Sequence, residues 1–83
     1  MKVYVLIMER TYGIYNELDC VGVYDTEEKA QGAMEEEIDH IKNRWLKSEK
    51  NVAHVYIKIS KGEGTISLDD KCRYYIIEEK EIK

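Results

Sequence analysis

The side chains that could do chemistry are few, and the best-spaced pair lies on a predicted helix. Glu36 and His40 are four residues apart, so one side of a helix would present a carboxylate and an imidazole that can chelate a metal ion. Zinc normally needs a third ligand, and hard cations need more oxygens than one side of a helix offers. The competing interpretation, which we favour, is a solvated acidic face with a Glu36–His40 pair. We therefore predict no metal and no cofactor.

The other candidate chemistries lack a complete set of residues. His54 lies on a predicted strand, and the sequence places no nucleophile or partner within its reach. No serine lies in the Gly-x-Ser-x-Gly pattern of a nucleophile elbow. No helix follows Lys61-Gly62-Glu63-Gly64, so this segment is not a phosphate loop, and its two glycines are expected to serve a turn. We predict no catalytic residue and no enzymatic activity.

Composition predicts one small globular domain over residues 1–83. The chain is 43% hydrophobic and 36% charged, and no apolar stretch approaches the ~20 residues of a membrane helix. The run from Val3 to Met8 is too short for a secretory signal, which favours a cytoplasmic protein.

Cys20 and Cys72 have no metal-binding spacing and are expected as reduced thiols. The net charge of −4 argues against direct nucleic-acid binding, which needs clustered basic residues.

One long helix is predicted between residues 27 and 48. Asp25-Thr26-Glu27-Glu28 is a helix start in which either Asp25 or Thr26 can serve as N-cap. The apolar residues that follow recur every three or four positions and form one stripe: Ala30, Met34, Ile38, Ile41 and Trp45. Acidic residues dominate the first half of the helix and basic residues the second, which complements the helix dipole.

Strands are predicted on both sides of this helix. Apolar and β-branched runs indicate strands at 2–9, 17–24, 52–60 and 72–80, with a candidate short strand at 65–68. Gly22 inside the second strand predicts a bulge or a close contact with a large side chain. The order ββαββ, with 65–68 as an optional extra strand, predicts an α+β fold: a small antiparallel sheet with one helix packed on one face.

A single helix can cover only one face of the sheet, so the other face is expected to be free. The sequence leaves open which face the helix covers, and one choice is the face formed by Val3, Val5, Ile7, Val55, Ile57 and Ile59. The opposite face then carries Tyr4, Leu6, Met8, Tyr56 and one of Tyr74 and Tyr75. Tyrosine is favoured at interfaces, so Tyr4, Tyr56 and Tyr75 are predicted to bind a partner. The alternative is that these tyrosines only shield a small sheet.

A second predicted binding surface is the acidic half of the helix. Its carboxylates could meet a basic groove on another protein, including one that holds nucleic acid, by imitating phosphate charge. Ordinary solvation of a surface helix is the alternative. The predicted contact residues are Glu27, Glu28, Glu35, Glu36 and Asp39.

Two segments resemble a family of short proteins from phages and bacteria. Val3-Tyr4-Val5-Leu6 matches its V-Y-V-L strand, and Gly22-Val23-Tyr24-Asp25-Thr26-Glu27-Glu28-Lys29-Ala30 matches its helix start. A closing strand similar to Tyr75-Ile76-Ile77-Glu78-Glu79 extends the resemblance to residues 2–8, 18–38 and 74–82. The resemblance implies the same fold and a phage or mobile-element setting, and it supplies no catalytic residue.

Together these features predict a non-enzymatic, protein-binding module. It would inhibit or modulate a host protein that handles nucleic acid or acts in defence, as anti-CRISPR proteins do, and it would work in the host cytoplasm. The alternative is a self-associating structural domain that forms a homodimer through the free sheet face. Both interpretations exclude a membrane partner.

Overall fold

The fold is a five-stranded antiparallel sheet with one helix packed on it. The computed structural model describes residues 1–12, 14–48, 55–68 and 71–82. The elements are β1 (Lys2–Tyr12), β2 (Tyr15–Tyr24), α1 (Glu27–Ser48), β3 (Tyr56–Ser60), β4 (Glu63–Leu68) and β5 (Lys71–Glu81). Neighbouring strands are antiparallel, in the spatial order β2-β1-β5-β4-β3. The predicted α+β class is confirmed, whereas the element order is ββαβββ because the optional segment at 65–68 is a full strand.

The helix has the predicted bounds, and its N-terminus is held by side chains. Thr26 is the N-cap, because its Oγ1 accepts a hydrogen bond from the Lys29 backbone N–H at 3.2 Å. Asp25 instead forms an ion pair with Lys29, with Oδ1 and Nζ 3.0 Å apart. That charge and its hydrogen bond lower the pKa of Asp25.

The core lies between the helix and the sheet. The predicted apolar stripe of α1 is confirmed, since Ala30, Met34, Ile38, Ile41 and Trp45 are all buried. Burying an aliphatic side chain of this size contributes about 1.5–3 kcal/mol. From the sheet, the stripe is met by Leu6, Met8, Ile66, Leu68 and Tyr75.

Along β1, the sheet face that the helix covers is not the face of Val3, Val5 and Ile7. Leu6 and Met8 lie in the core, so alternation along β1 places Tyr4 on the helix side and Val3, Val5 and Ile7 on the opposite side. The assignment of β3 is correct, because Ile57 and Ile59 pair with Ile66 and Gly64, which face the helix. Since β1 is apolar on both sides, its own sequence carries no signal that selects a face.

Gly64 gives the physical reason for the choice of face. A Cβ at Gly64 would lie 2.6 Å from Ile38 Cδ1 and 3.2 Å from Met34 Sδ, so the helix approaches the sheet here because no side chain intervenes. Gly64 pairs with Tyr75 on β5, whose ring occupies the covered face beside it. The predicted turn role of Gly64 is therefore wrong, and Gly62 alone turns the chain, with a φ of 81°.

Gly22 has both features that the sequence predicts. The β1–β2 register shifts between Leu6 and Ile7, whose partners are Gly22 and Cys20, and this leaves Val21 as the extra residue of a bulge. A Cβ at Gly22 would lie 2.7 Å from the Tyr24 hydroxyl oxygen, because the Tyr24 ring lies over this glycine.

Some predictions fall outside the described residues. His54 and the first residues of the predicted strand at 52–60 belong to this group. Within the described ranges, no helix is both long and apolar enough to cross a membrane.

Candidate protein-binding surfaces

Two surfaces of different chemistry lie on opposite sides of the molecule. Four predicted acidic residues lie on the outer side of α1, whereas Glu27 lies in line with the buried stripe, three residues before Ala30. We call the five together the acidic surface: Glu27, Glu28, Glu35, Glu36 and Asp39. The sheet side that faces away from α1 we call the open face, and no described element of the chain packs on it. One compact partner cannot contact both surfaces, because the helix and the sheet separate them.

A row of positions along α1 forms the centre of the acidic surface. Glu28, Gly32, Glu35 and Asp39 follow one another at intervals of four, three and four residues, which places them along one side of the helix. Glu28 and Glu35 are about 10 Å apart along the axis, and Asp39 is about 6 Å further. The row therefore presents three carboxylates with one bare backbone position between the first two.

Gly32 opens a groove between the helix and the β3–β4 turn. Nothing lies within 4 Å of the place where its Cβ would be, and the groove of about 590 Å³ runs beside it. Its walls include Glu28 and Glu35 of the helix and Lys61 of the turn. A groove with carboxylates on its walls suits the cationic end of a lysine or arginine side chain.

The Gln31 side chain fixes the position of the turn relative to the helix. Its Nε2 donates to the Ser60 carbonyl at 3.1 Å, and its Oε1 accepts from the Gly62 N–H at 2.9 Å. The groove is thus held by two hydrogen bonds from one side chain. Sequence reasoning missed Gln31, because a lone glutamine within an acidic helix carries no signal of a tertiary contact.

The carboxylates of the acidic surface differ in whether they are already paired. Glu27 lies 3.8 Å from Lys61 Nζ, and Asp39 lies 3.4 Å from Lys42 Nζ. Within the part of the chain that the structure describes, Glu28, Glu35 and Glu36 form no ion pair. These three are the charges that an incoming cation would meet without competition.

The predicted Glu36–His40 pair does not form an ion pair among the described side chains. Both residues line a second, shallower groove of about 440 Å³ together with Val21, Tyr24, Ala33 and Glu37. No three acidic, histidine or cysteine side chains within the described ranges lie close enough together to hold a metal ion.

The open face carries most of its apolar side chains on β2, β1 and β5, where Glu9, Glu78 and Lys80 lie among them, and it is polar along β4 and β3. The register brings Val23, Val5 and Glu78 into one row and Cys20, Ile7 and Ile76 into the next. Leu18 and Val23 on edge strand β2 are 70% and 57% exposed, whereas Val5, Ile7 and Ile76 are half-buried. Thr65, Ser67 and Lys58 continue the face toward the other edge.

The structure separates the three predicted tyrosines. Tyr56 lies on the open face and is 58% exposed, as predicted. Tyr4 lies on the helix side, where its hydroxyl donates to Glu79 Oε1 at 3.2 Å. Lost hydration and that carboxylate raise the pKa of Tyr4.

Tyr75 is completely buried in the core, so its predicted exposure is wrong. Its neighbour Tyr74 takes the position on the open face and donates a hydrogen bond to Glu63 Oε1 at 3.1 Å. Lost hydration and the Glu63 and Glu9 carboxylates raise the pKa of Tyr74.

The Tyr75 hydroxyl lies in a cationic corner of the core. Arg10 and Arg73 are directly paired across β1 and β5, and the Arg73 guanidinium lies 6.0 Å from the centre of the Trp45 ring. Burial raises the pKa of Tyr75, although the nearby Arg73 opposes this. Among the residues that the structure describes, the hydroxyl finds no well-formed hydrogen bond, and neither do the buried Nε atoms of the two arginines. This corner therefore contains buried donors that cost stability.

The two cysteines are far apart on the open face. Cys20 pairs with Ile7 and Cys72 with Thr11, on opposite sides of β1 and four residues apart along it. This separation is far beyond the ~7 Å Cα–Cα limit of a disulfide, and both thiols are free.

Comparison with protein-family models, curated proteins and solved structures finds no match for this chain. The resemblance to short phage and bacterial proteins stays a prediction.

Proposed function

We propose that this chain is a non-enzymatic, protein-binding module that docks its acidic surface on a basic partner. The observation that carries the proposal is the groove at Gly32, where Glu28 and Glu35 stand beside exposed backbone without ion-pair partners among the described residues. An unpaired carboxylate can take a lysine or arginine of a partner without first breaking a contact of its own.

The partner class follows from the shape of this charge distribution. The row at Glu28, Glu35 and Asp39 repeats negative charge along a rigid helix, as a nucleic-acid backbone repeats phosphates. A basic groove that holds nucleic acid is therefore the kind of surface that the row would fit. A host protein that handles nucleic acid or acts in defence would be inhibited if its groove were occupied in this way.

A paired set of charge reversals tests the proposal. The double variant Glu28→Lys/Glu35→Lys removes the two groove carboxylates that have no ion-pair partner among the described residues, and Glu79→Lys/Glu81→Lys makes the same change in net charge at the end of β5. The probe is a fluorescent arginine-rich peptide, whose binding is measured by anisotropy at low salt and at about 0.3 M salt. We expect the groove variant to lose binding and its salt dependence, whereas the β5 variant retains most of both.

The same variants serve as baits for capture from a host lysate. Basic proteins that the wild type and the β5 variant retain, and the groove variant loses, are the expected partners. Equal peptide affinity in the two double variants would contradict a role for the groove, since net charge alone would then explain the binding.

A further inference from the structure

The open face has the size of an ordinary protein–protein interface. Each strand residue occupies about 16 Å² of sheet, so the five strands present about 700 Å² on one side. Each partner in a standard interface buries about 800 Å². The face is therefore large enough for a stable contact without any other part of the molecule.

The chain exposes more surface than a compact protein of its mass. Its accessible surface is 5931 Å², against about 5,200 Å² for a folded monomer of 9.8 kDa. The radius of gyration is 13.7 Å, compared with about 12 Å for a compact chain of this length. A sheet covered on only one side contributes to this excess, and so does the β1–β2 hairpin, where residues 14–20 are all exposed.

The charges on the open face favour a second copy over a strongly charged partner. Lys80 Nζ lies 3.3 Å from Glu78 on the central strand β5, and Glu63 accepts from Tyr74, so three charged side chains of the open face already have partners. Glu9 and Lys58 also lie on the open face, so its positive and negative charges are nearly equal in number. A nearly neutral, apolar surface is self-complementary, whereas the acidic surfaces of two copies would repel each other.

We propose that two copies of this chain form a homodimer through the open face, with Val5, Ile7, Val23, Leu18 and Ile76 at the contact. The two sheets pack face to face about 10 Å apart, and the helices lie on the outside. Each acidic surface then faces away from the partner copy and remains accessible. This inference does not rest on the proposed function, because the two surfaces are separate.

Sedimentation equilibrium over a range of protein concentrations tests the proposal. The wild type is expected to have twice the monomer mass of 9.8 kDa at high concentration. Leu18→Lys/Val23→Lys changes two exposed side chains of the open face and is expected to weaken the dimer at least about tenfold. Ile59→Lys, a similarly apolar exposed position on the helix side of edge strand β3, is the matched control and should remain dimeric.

Salt dependence is a second measurement that needs no variant. Because the contact is apolar and each copy carries a net charge of −4, added salt should strengthen the dimer. A wild type that stays monomeric at high concentration would overturn the proposal. So would a dimer that Ile59→Lys dissociates while Leu18→Lys/Val23→Lys, folded by circular dichroism, does not.

Discussion

At the scale of single residues, Tyr75 is where the sequence is most misleading. A Tyr-Tyr pair on a strand indicates that one ring is covered and the other exposed, but not which one. The buried ring is that of Tyr75, which pairs with Gly64, a residue eleven positions earlier where the helix side chains Ile38 and Met34 approach the sheet. A contact between distant residues of this kind has no signal in local periodicity.

Tyr75→Phe is expected to cost little or to stabilise the protein by up to about 1 kcal/mol. The buried hydroxyl has no well-formed hydrogen bond to lose, whereas Tyr75→Ala should cost about 3–5 kcal/mol through a cavity. Urea unfolding of the two variants measures the difference. A loss of more than about 2 kcal/mol in Tyr75→Phe would show that the hydroxyl is well bonded.

The same residue makes stability depend on alkaline pH. The folded pKa of Tyr75 is raised above the ordinary value of 10.0, so the folded state resists losing that proton. Its contribution is therefore complete below pH 10 and is lost as the pH rises through the folded pKa. As the pH rises from below 10 through the folded pKa, the free energy of unfolding should fall less steeply in Tyr75→Phe than in the wild type. An identical dependence on pH in the two proteins would contradict a raised pKa of Tyr75.

At the scale of elements, the helix is the part that the sequence predicts best. Its capping residue, its charge order and its stripe from Ala30 to Trp45 all indicate the same bounds, and the structure has them. Strand β1 is predicted as an element but not in its orientation, because both of its sides are apolar. The groove could not be predicted either, since it depends on Gln31 and on a turn thirty residues further along the chain.

Two glycine substitutions separate packing from helix propensity. Gly64→Ala places a methyl group against Ile38 and Met34 in the packed core and should cost about 1–3 kcal/mol. Gly32→Ala meets no atom within 4 Å and should stabilise α1 by about 1 kcal/mol. Thermal or urea unfolding compares the two variants.

Gly32→Ala has a second expected effect, because its methyl group lies in the groove. The variant should be more stable and yet bind the arginine-rich peptide more weakly than the wild type. Stabilisation with unchanged binding would show that this glycine leaves no space that a ligand uses.

At the scale of the whole molecule, the proposed function and the proposed dimer use two separate surfaces. A dimer through the open face would present two acidic surfaces outward, and a partner with two basic sites would bind it more tightly through avidity. The two contacts should also respond to salt in opposite directions. Salt screens the attraction between carboxylates and a basic partner, whereas it strengthens an apolar contact between two acidic copies.

The most direct test of the acidic groove is an amide-resolved NMR titration with the arginine-rich peptide. We expect the backbone signals of Glu28, Gly32 and Glu35 to shift together and to saturate, while those of Val5, Ile7 and Ile76 on the open face stay in place. Shifts centred on the open face, or none that saturate, would contradict the claim that the groove binds a basic partner.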